Sequence, residues 1–278
     1  MSKTAIVVEG GAMRGIFAAG VLDVFHERGI APFDIAIGTS AGACNLASHV
    51  AGQHGRNRRC YLTQMRRTEF VDVRRFLRGG HWLDLDYLWD AFDREDPLDI
   101  PRVVASPTQF VVAATSVETG AATYIEPRAH DMNEALRASS AVPLMYRRFV
   151  ELDGMHFTDG GVTAPIPVEE AYRRGARRIV VIRTRPARFA GPSRVECSFA
   201  AAMLRSYPAL ARAFRRYREV YARAQAFALD PPPGCTIVHI APLQQRATRT
   251  TIDLSALEAD YTRGRLSGER ALAALERW

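Results

Sequence analysis

Short runs of β-branched and apolar residues recur along this chain, separated by longer stretches in which apolar residues return every three or four positions. The runs Thr4–Val8, Phe33–Ile37, Gln109–Ala114 and Arg178–Arg183 read as strands and the stretches between them as helices. That succession predicts an α/β chain with a largely parallel central sheet flanked by helices. Ala121–Ile125 is predicted to fold back on the strand before it through a turn at Thr119–Gly120, and Cys235–Ile240 to add a last strand. Between Ser198 and Leu229, apolar residues from Met203 and Tyr207 through Leu210, Phe214 and Tyr221 to Ala228 follow at spacings of three and four, which draws one stripe along a helix. Pro208 kinks that helix or begins it. Leu254–Trp278 reads as another helix, split or bent near Gly264 and Gly268.

Three junctions in this pattern carry chemistry. After Phe33–Ile37, the residues Gly38-Thr39-Ser40-Ala41-Gly42 lead into a small-residue helix over Ala43–Ala51. Glycines on either side of Ser40 remove the Cβ atoms that would clash in so sharp a turn, and leave its hydroxyl exposed as an acyl-transfer nucleophile requires. After Thr4–Val8, the loop Gly10-Gly11-Ala12-Met13-Arg14-Gly15 opens a helix over Ile16–Glu27. Its unpaired N–H groups suit a phosphate or the oxyanion of a tetrahedral intermediate. The nucleotide readings fail: no Gly-Lys-Ser/Thr follows, Ala12 breaks the first G-x-G, and no acidic residue ends the next strand. Third, Phe157-Thr158-Asp159-Gly160-Gly161 ends an extended stretch from Phe149 and sets a carboxylate before two glycines. Alone it is an Asp-Gly turn; beside a serine elbow and a donor loop it is a candidate base.

With Ala138-Ser139-Ser140-Ala141-Val142-Pro143, these motifs resemble the patatin-like phospholipase family, in the family's order and over Glu9 to Gly161; the resemblance fades after about Thr184. It implies a three-layer patatin-like fold in which Ser40 is the nucleophile and Asp159 its base in a Ser-Asp dyad. The N–H groups of Gly10, Gly11 and Ala12 would form the oxyanion hole and Arg14 would support that loop. Gly15, Gly38, Gly42, Gly160 and Gly161 complete the motifs. The implied substrate is a lipid or other acyl ester, with neither cofactor nor metal. Ala12 departs from the third glycine common in the family, so the backbone angle at Ala12 decides the geometry of the hole.

The chemistry follows from the groups. A carboxylate in a dry pocket can take the serine proton directly and return it to the leaving alcohol, after which water releases the acyl group as a free fatty acid. An alcohol in place of water would make the chain an acyltransferase. A chain that kept the fold without turnover would be a lipid-binding protein, against which nucleophile, base and donor loop all argue. A rival triad runs Ser40, Asp159, His239, the chain order of α/β-hydrolases. Against it, the serine follows only the second predicted strand, and His239 sits among Ile237, Val238 and Ile240 as in a packed strand. The histidines at 26, 49, 54, 81, 130 and 156 show no partner or metal-ligand pattern.

Residues 56–96, richer in charge and aromatics, read as helices inserted after the serine, either a cap over the site or outer-layer packing. At 278 residues and 47% hydrophobic, the chain can bury a full core and reads as one domain, 1–278, with a motif-bearing part over about 4–184 and C-terminal elements over about 190–278. Cys44, Cys60, Cys197 and Cys235 show no C-x-x-C spacing, and no leader or apolar span stands out, so a cytoplasmic protein is expected. The net charge of +7 is almost all arginine, Lys3 being the only lysine, and no aromatic-basic motif points to nucleic acid. Arg205, Arg212, Arg215, Arg216, Arg218 and Arg223 lie mostly off the stripe of the 198–229 helix. That helix docks on the core with a solvated basic face, or touches an anionic membrane surface, or pairs with a second copy.

Overall fold

The computed structural model describes residues 2–30, 32–127, 132–276 and 278; His130 lies outside them. The chain opens with two strand–helix units, β1 (Lys3–Val8) with α1 (Ile16–Glu27) and β2 (Ile35–Thr39) with α2 (Ala41–Val50). Four helices follow before the next strand: α3 (Arg56–Leu62), α4 (Val73–Leu77), α5 (Leu85–Glu95) and α6 (Ile100–Ala105). Then come β3 (Gln109–Ser116), β4 (Ala122–Ile125), α7 (Met132–Ser140), and a hairpin of β5 (Val150–Leu152) and β6 (Met155–Asp159). The chain continues through α8 (Val168–Arg173), β7 (Ala176–Ile182), α9 (Arg194–Met203), α10 (Pro208–Leu229), β8 (Thr236–Ile240) and α11 (Leu254–Leu275).

The strands form one sheet in the order β5-β6-β3-β2-β1-β7-β8, with β4 pairing β3 off that path. The run from β3 to β8 is parallel, while β4, β5 and β6 join antiparallel. Because side chains alternate across a strand, Ile6 and Val8 of β1 enter one apolar cluster with α1, α2 and α11, while Ala5 and Val7 enter another with α8 and α10. The sheet is thus covered on both faces, the three-layer arrangement that the resemblance implies, around the largely parallel sheet that the strand pattern predicts. Continuation switches from the β2 side of β1 to its β7 side, and the crevice beyond the carboxyl ends of these strands is where such sheets hold ligands. Glu9, Ser40 and Thr184 all sit there.

Two elements differ from expectation. The 198–229 stretch is two helices, with α9 beginning earlier, at Arg194, and Pro208 standing in the first turn of α10, where its missing N–H costs nothing. The predicted stripe splits with it: Leu210, Phe214, Tyr221, Ala224 and Ala228 are buried, while Met203 and Tyr207 are exposed. Conversely, α11 runs unbroken through Gly264 and Gly268. These glycines let α11 lie against α1: a Cβ on Gly264 would strike the Phe17 carbonyl, and one on Gly20 the Tyr261 carbonyl. The sequence shows helix-weakening residues; the structure uses them for close backbone approach.

Candidate active site

Ser40 sits where β2 becomes α2, with φ 54° and ψ −130°, a left-handed backbone rarely held by a side-chain-bearing residue. Such strain persists only where neighbours over-determine it. The Ser40 N–H donates to Ser139 Oγ at 2.7 Å, and Ser139 Oγ donates onward to the Ala113 carbonyl at 2.5 Å. Thr39 Oγ1 donates to the Ala164 carbonyl at 2.7 Å. A Cβ on Gly10 would come within 2.9 Å of Ser40 Cβ, and one on Gly42 would collide with the Val8 carbonyl, so the glycines permit tight stacking of the donor loop, elbow and β1.

Sheet register brings the carboxylate to the serine. Thr39 pairs with Ala113, and the next residue on β3, Ala114, pairs with Asp159, so Ser40 and Asp159 fall level at one end of β2 and β6, the two strands that flank β3. The 138–143 segment ties the two together: Ser139 takes the Ser40 N–H, while the Ala141 carbonyl accepts from Asp159 N at 3.0 Å and Thr158 Oγ1 at 2.6 Å. Asp159 Oδ1 accepts from Gly161 N at 2.6 Å. Both residues are buried, Ser40 at 4% and Asp159 at 7% exposure. Burial raises the Asp159 pKa, and hydrogen bonds from Ser40 and the Gly161 N–H, with the charge of Arg249, pull it partly back. A carboxylate so placed is a stronger base than one in water.

In the donor loop Gly11 is extended at φ 170°, and Ala12 is left-handed at φ 50°. Alanine therefore occupies the conformation that a glycine would hold without strain. Among the described residues no acceptor takes the N–H of Gly10, Gly11 or Ala12. Glu9 latches the loop to the end of β7, accepting from Thr184 N at 2.8 Å and Arg185 N at 3.2 Å, while Thr184 Oγ1 donates to the Gly10 carbonyl at 2.5 Å. Tyr221 of α10 donates to Glu9 at 2.6 Å and accepts from Arg183 at 2.7 Å, so this buried carboxylate has polar partners on several sides. Arg14 lies against the same loop, its N–H donating to the Gly11 carbonyl at 3.2 Å, while its side-chain Nε and Nη2 are buried without a hydrogen-bond partner. Burial and the guanidiniums of Arg185 and Arg249 push the Arg14 pKa down to about 9, which leaves it cationic at neutral pH.

Two cavities open on Ser40. A narrow one of ≈ 60 Å³ runs between α2, α3 and α5, lined by Tyr61, Met65, Leu88, Trp89 and Phe92 among others. Its polar residues bond one another and the backbone: Asn45 donates to the Gly15 carbonyl, Asn57 to the Asn45 carbonyl, and Arg56 to Ser48. Of the inserted helices, α3 and α5 both enter the core and line this cavity, while α4 buries no residue. A wide cavity of ≈ 460 Å³ holds Ser40, Asp159 and the donor loop, with Arg14, Arg185 and Arg249 on its wall.

His239 lines neither cavity. Register carries it through Val181 and Val7 to Ile37, three strands from the elbow, roughly 14 Å at the usual strand spacing. Burial and nearby Arg183 press its pKa down to about 4. His156 pairs with Glu118 on the surface. Cys44 lines the narrow cavity, its thiol pushed up to about 11 by burial. Among the described residues, no three His, Cys, Asp or Glu side chains gather as for a metal ion, and no helix is long and apolar enough to cross a membrane.

Glu9, Ser139, Arg185 and Arg249 complete the site without standing out in the sequence. Glu9, a charge closing an apolar run, and Ser139, inside the 138–143 motif, left some signal; Arg249, in an aperiodic loop, left none. Comparison with known proteins agrees with the geometry. A family model described as patatin-like phospholipase matches residues 6–172, and one described as a domain of unknown function (DUF6363) matches 207–278. The chain is 37% identical over 283 residues to the uncharacterized protein YjjU of Escherichia coli (strain K12), covering 98% of this chain and 78% of that relative. The crystal structure of VipD from Legionella pneumophila shares the fold at a TM-score of 0.57 and 12% identity, over 98% of this chain and 67% of VipD. Glycine-rich loop, serine elbow and Asp-Gly-Gly turn meet at one end of a three-layer sheet within the matched residues: the chain belongs to the patatin-like phospholipase family.

Proposed function

We propose that this chain is a serine lipid acyl hydrolase. Ser40 Oγ attacks the ester carbonyl carbon while Asp159 takes its proton, and the developing oxyanion faces the N–H groups of Gly10, Gly11 and Ala12. As the carbonyl re-forms, the C–O bond to the alcohol breaks and Asp159 returns the proton to that oxygen. Water, deprotonated by Asp159, then attacks the acyl-enzyme, releasing a fatty acid and restoring the Ser40 hydroxyl. Each oxyanion donor in such a site contributes on the order of 3 kcal/mol.

The observation that carries the reading is Ser40 at the junction of two cavities, beside a buried, desolvated Asp159 that lines the wide one, under unpaired backbone donors. The narrow apolar cavity fits the acyl chain. The wide cavity fits the alcohol side, and its three arginines favour an anionic group there. The reading takes residues 1–278 as one working unit, because Tyr221 of α10 latches the donor loop through Glu9. Four free cysteines suit the reducing cytoplasm.

The test is release of fatty acid from a series of acyl esters by the purified protein and by Ser40→Ala, with glycerol added in a parallel reaction. Release by the wild type alone is expected. Equal release by Ser40→Ala would overturn the reading, and acyl transfer to glycerol in preference to water would make the enzyme an acyltransferase.

A further inference from the structure

The helix α9 presents three large apolar side chains to solvent. Val195, Phe199 and Met203 are 79%, 64% and 59% exposed. Standing at i, i+4 and i+8, they form one ridge along the helix. The opposite face, with Cys197, Ala200 and Ala201, is buried, and Ala200 and Ala201 pack with Leu210 and Phe214 of α10. The ridge is therefore not a misplaced core stripe; α9 is anchored by one face and offers a second apolar face outward. Phe199 also lines the wide cavity, so the ridge reaches the mouth through which Ser40 is approached.

Charge around the ridge is mostly positive. Residues 194–218 contain six arginines and one glutamate. Arg194 and Arg205 are exposed at either end of α9, and Arg212, Arg215 and Arg216 are exposed on the helix packed beside it. The glutamate, Glu196, caps the start of α9, accepting from Ser193 N at 2.7 Å.

We propose that the α9 ridge is the surface by which this protein sits on an anionic lipid layer. Val195, Phe199 and Met203 enter the acyl boundary, the arginines meet the head groups, and Phe199 marks where a lipid passes into the wide cavity. A short apolar ridge bordered by cations is the pattern of an interfacial helix. A second copy of the chain is disfavoured as the occupant because it would bring the same arginines against these. The passage from surface to Ser40 rests on the hydrolase reading; the surface contact does not. This places the lipid contact on α9, which shares only Met203 with the predicted stripe of the 198–229 helix; the α10 residues Leu210, Phe214, Tyr221, Ala224 and Ala228 of that stripe are buried.

The experiment is co-sedimentation of the Ser40→Ala protein, which cannot consume the lipid, with vesicles of phosphatidylglycerol or of phosphatidylcholine. Binding to phosphatidylglycerol is expected to exceed binding to phosphatidylcholine and to weaken as salt is raised. Val195→Ser with Met203→Ser, both exposed and outside the cavity lining, should weaken vesicle binding by about tenfold or more. With Ser40 present, the same pair should leave hydrolysis of a short soluble ester unchanged. Absence of binding to phosphatidylglycerol vesicles, or undiminished binding by the double variant, would overturn the proposal. So would a solution dimer of the wild type that the double variant splits, since the ridge would then belong to a second copy. Vesicle binding without turnover of any soluble ester would instead count against the hydrolase reading alone.

Discussion

The two cavities that meet at Ser40 are built by different physical means. The narrow one is walled by side chains of α2, α3 and α5 that also belong to the main core, and its polar groups bond among themselves. The wide one is walled by the donor loop, the end of β7, α9, α10 and the loop carrying Arg249, and it keeps three cations. One is a slot that stability itself requires to be apolar. The other carries charge of both signs, Arg14, Arg185 and Arg249 beside Glu9, Asp159 and Glu196, and leaves two Arg14 nitrogens without a hydrogen-bond partner. Ala12, Ser40 and Val142 line both, so an ester seated at the serine would have one end in each.

The contrast can be broken at the junction or sharpened on either side. At the junction, Asp159→Asn should lower kcat by a factor on the order of 10³ for every ester, while His239→Ala changes little; comparable losses in both would restore the histidine triad. Next in size, Ser139→Ala frees the Ser40 N–H and should cut kcat by about tenfold to a hundredfold with KM nearly unmoved. A rise in KM alone would show that Ser139 acts on binding and not on the elbow. On the apolar side, Phe92→Ala lengthens the slot and should shift kcat/KM toward longer acyl chains by about tenfold. An unchanged chain-length profile would place the acyl chain elsewhere.

On the charged side, Arg249→Gln should raise KM about tenfold for an ester with a phosphate on its alcohol and much less for a neutral one. The same change supplies the smallest effect, in the pH profile. Asp159 must be ionised to act, so kcat/KM rises with pH through its pKa, which burial sets above the ordinary carboxylate value of about 3.9. Arg249 lowers that pKa, so removing it should move the acid limb further up. Movement downward would contradict the placement of Arg249 beside the base.

Much of this was legible in the sequence because local rules and global fold agree. Phe33–Ile37 lies two residues short of the observed β2, and the glycines around Ser40 mark the elbow at its end. The turn at Thr119–Gly120 and the return strand are as the sequence predicts. What was not legible depends on contacts across long sequence separations. Gly264 reads as a break until α1 lies against it. Arg249 is silent until its loop folds beside Arg14, and Ser139 shows its part only when α7 ends beside β2. The left-handed backbone at Ala12 runs against alanine's own preference and is held by the latch of Glu9 and Thr184.

The central claim is an activated Ser40 with Asp159 as its base. Reaction with a fluorophosphonate, followed by peptide mass spectrometry, tests it most directly in the wild type, Ser40→Ala and Asp159→Asn. The account predicts an adduct on Ser40, none in Ser40→Ala, and much slower labelling in Asp159→Asn. A folded wild type that gains no adduct at Ser40, or an Asp159→Asn protein that labels as fast as the wild type, would contradict it.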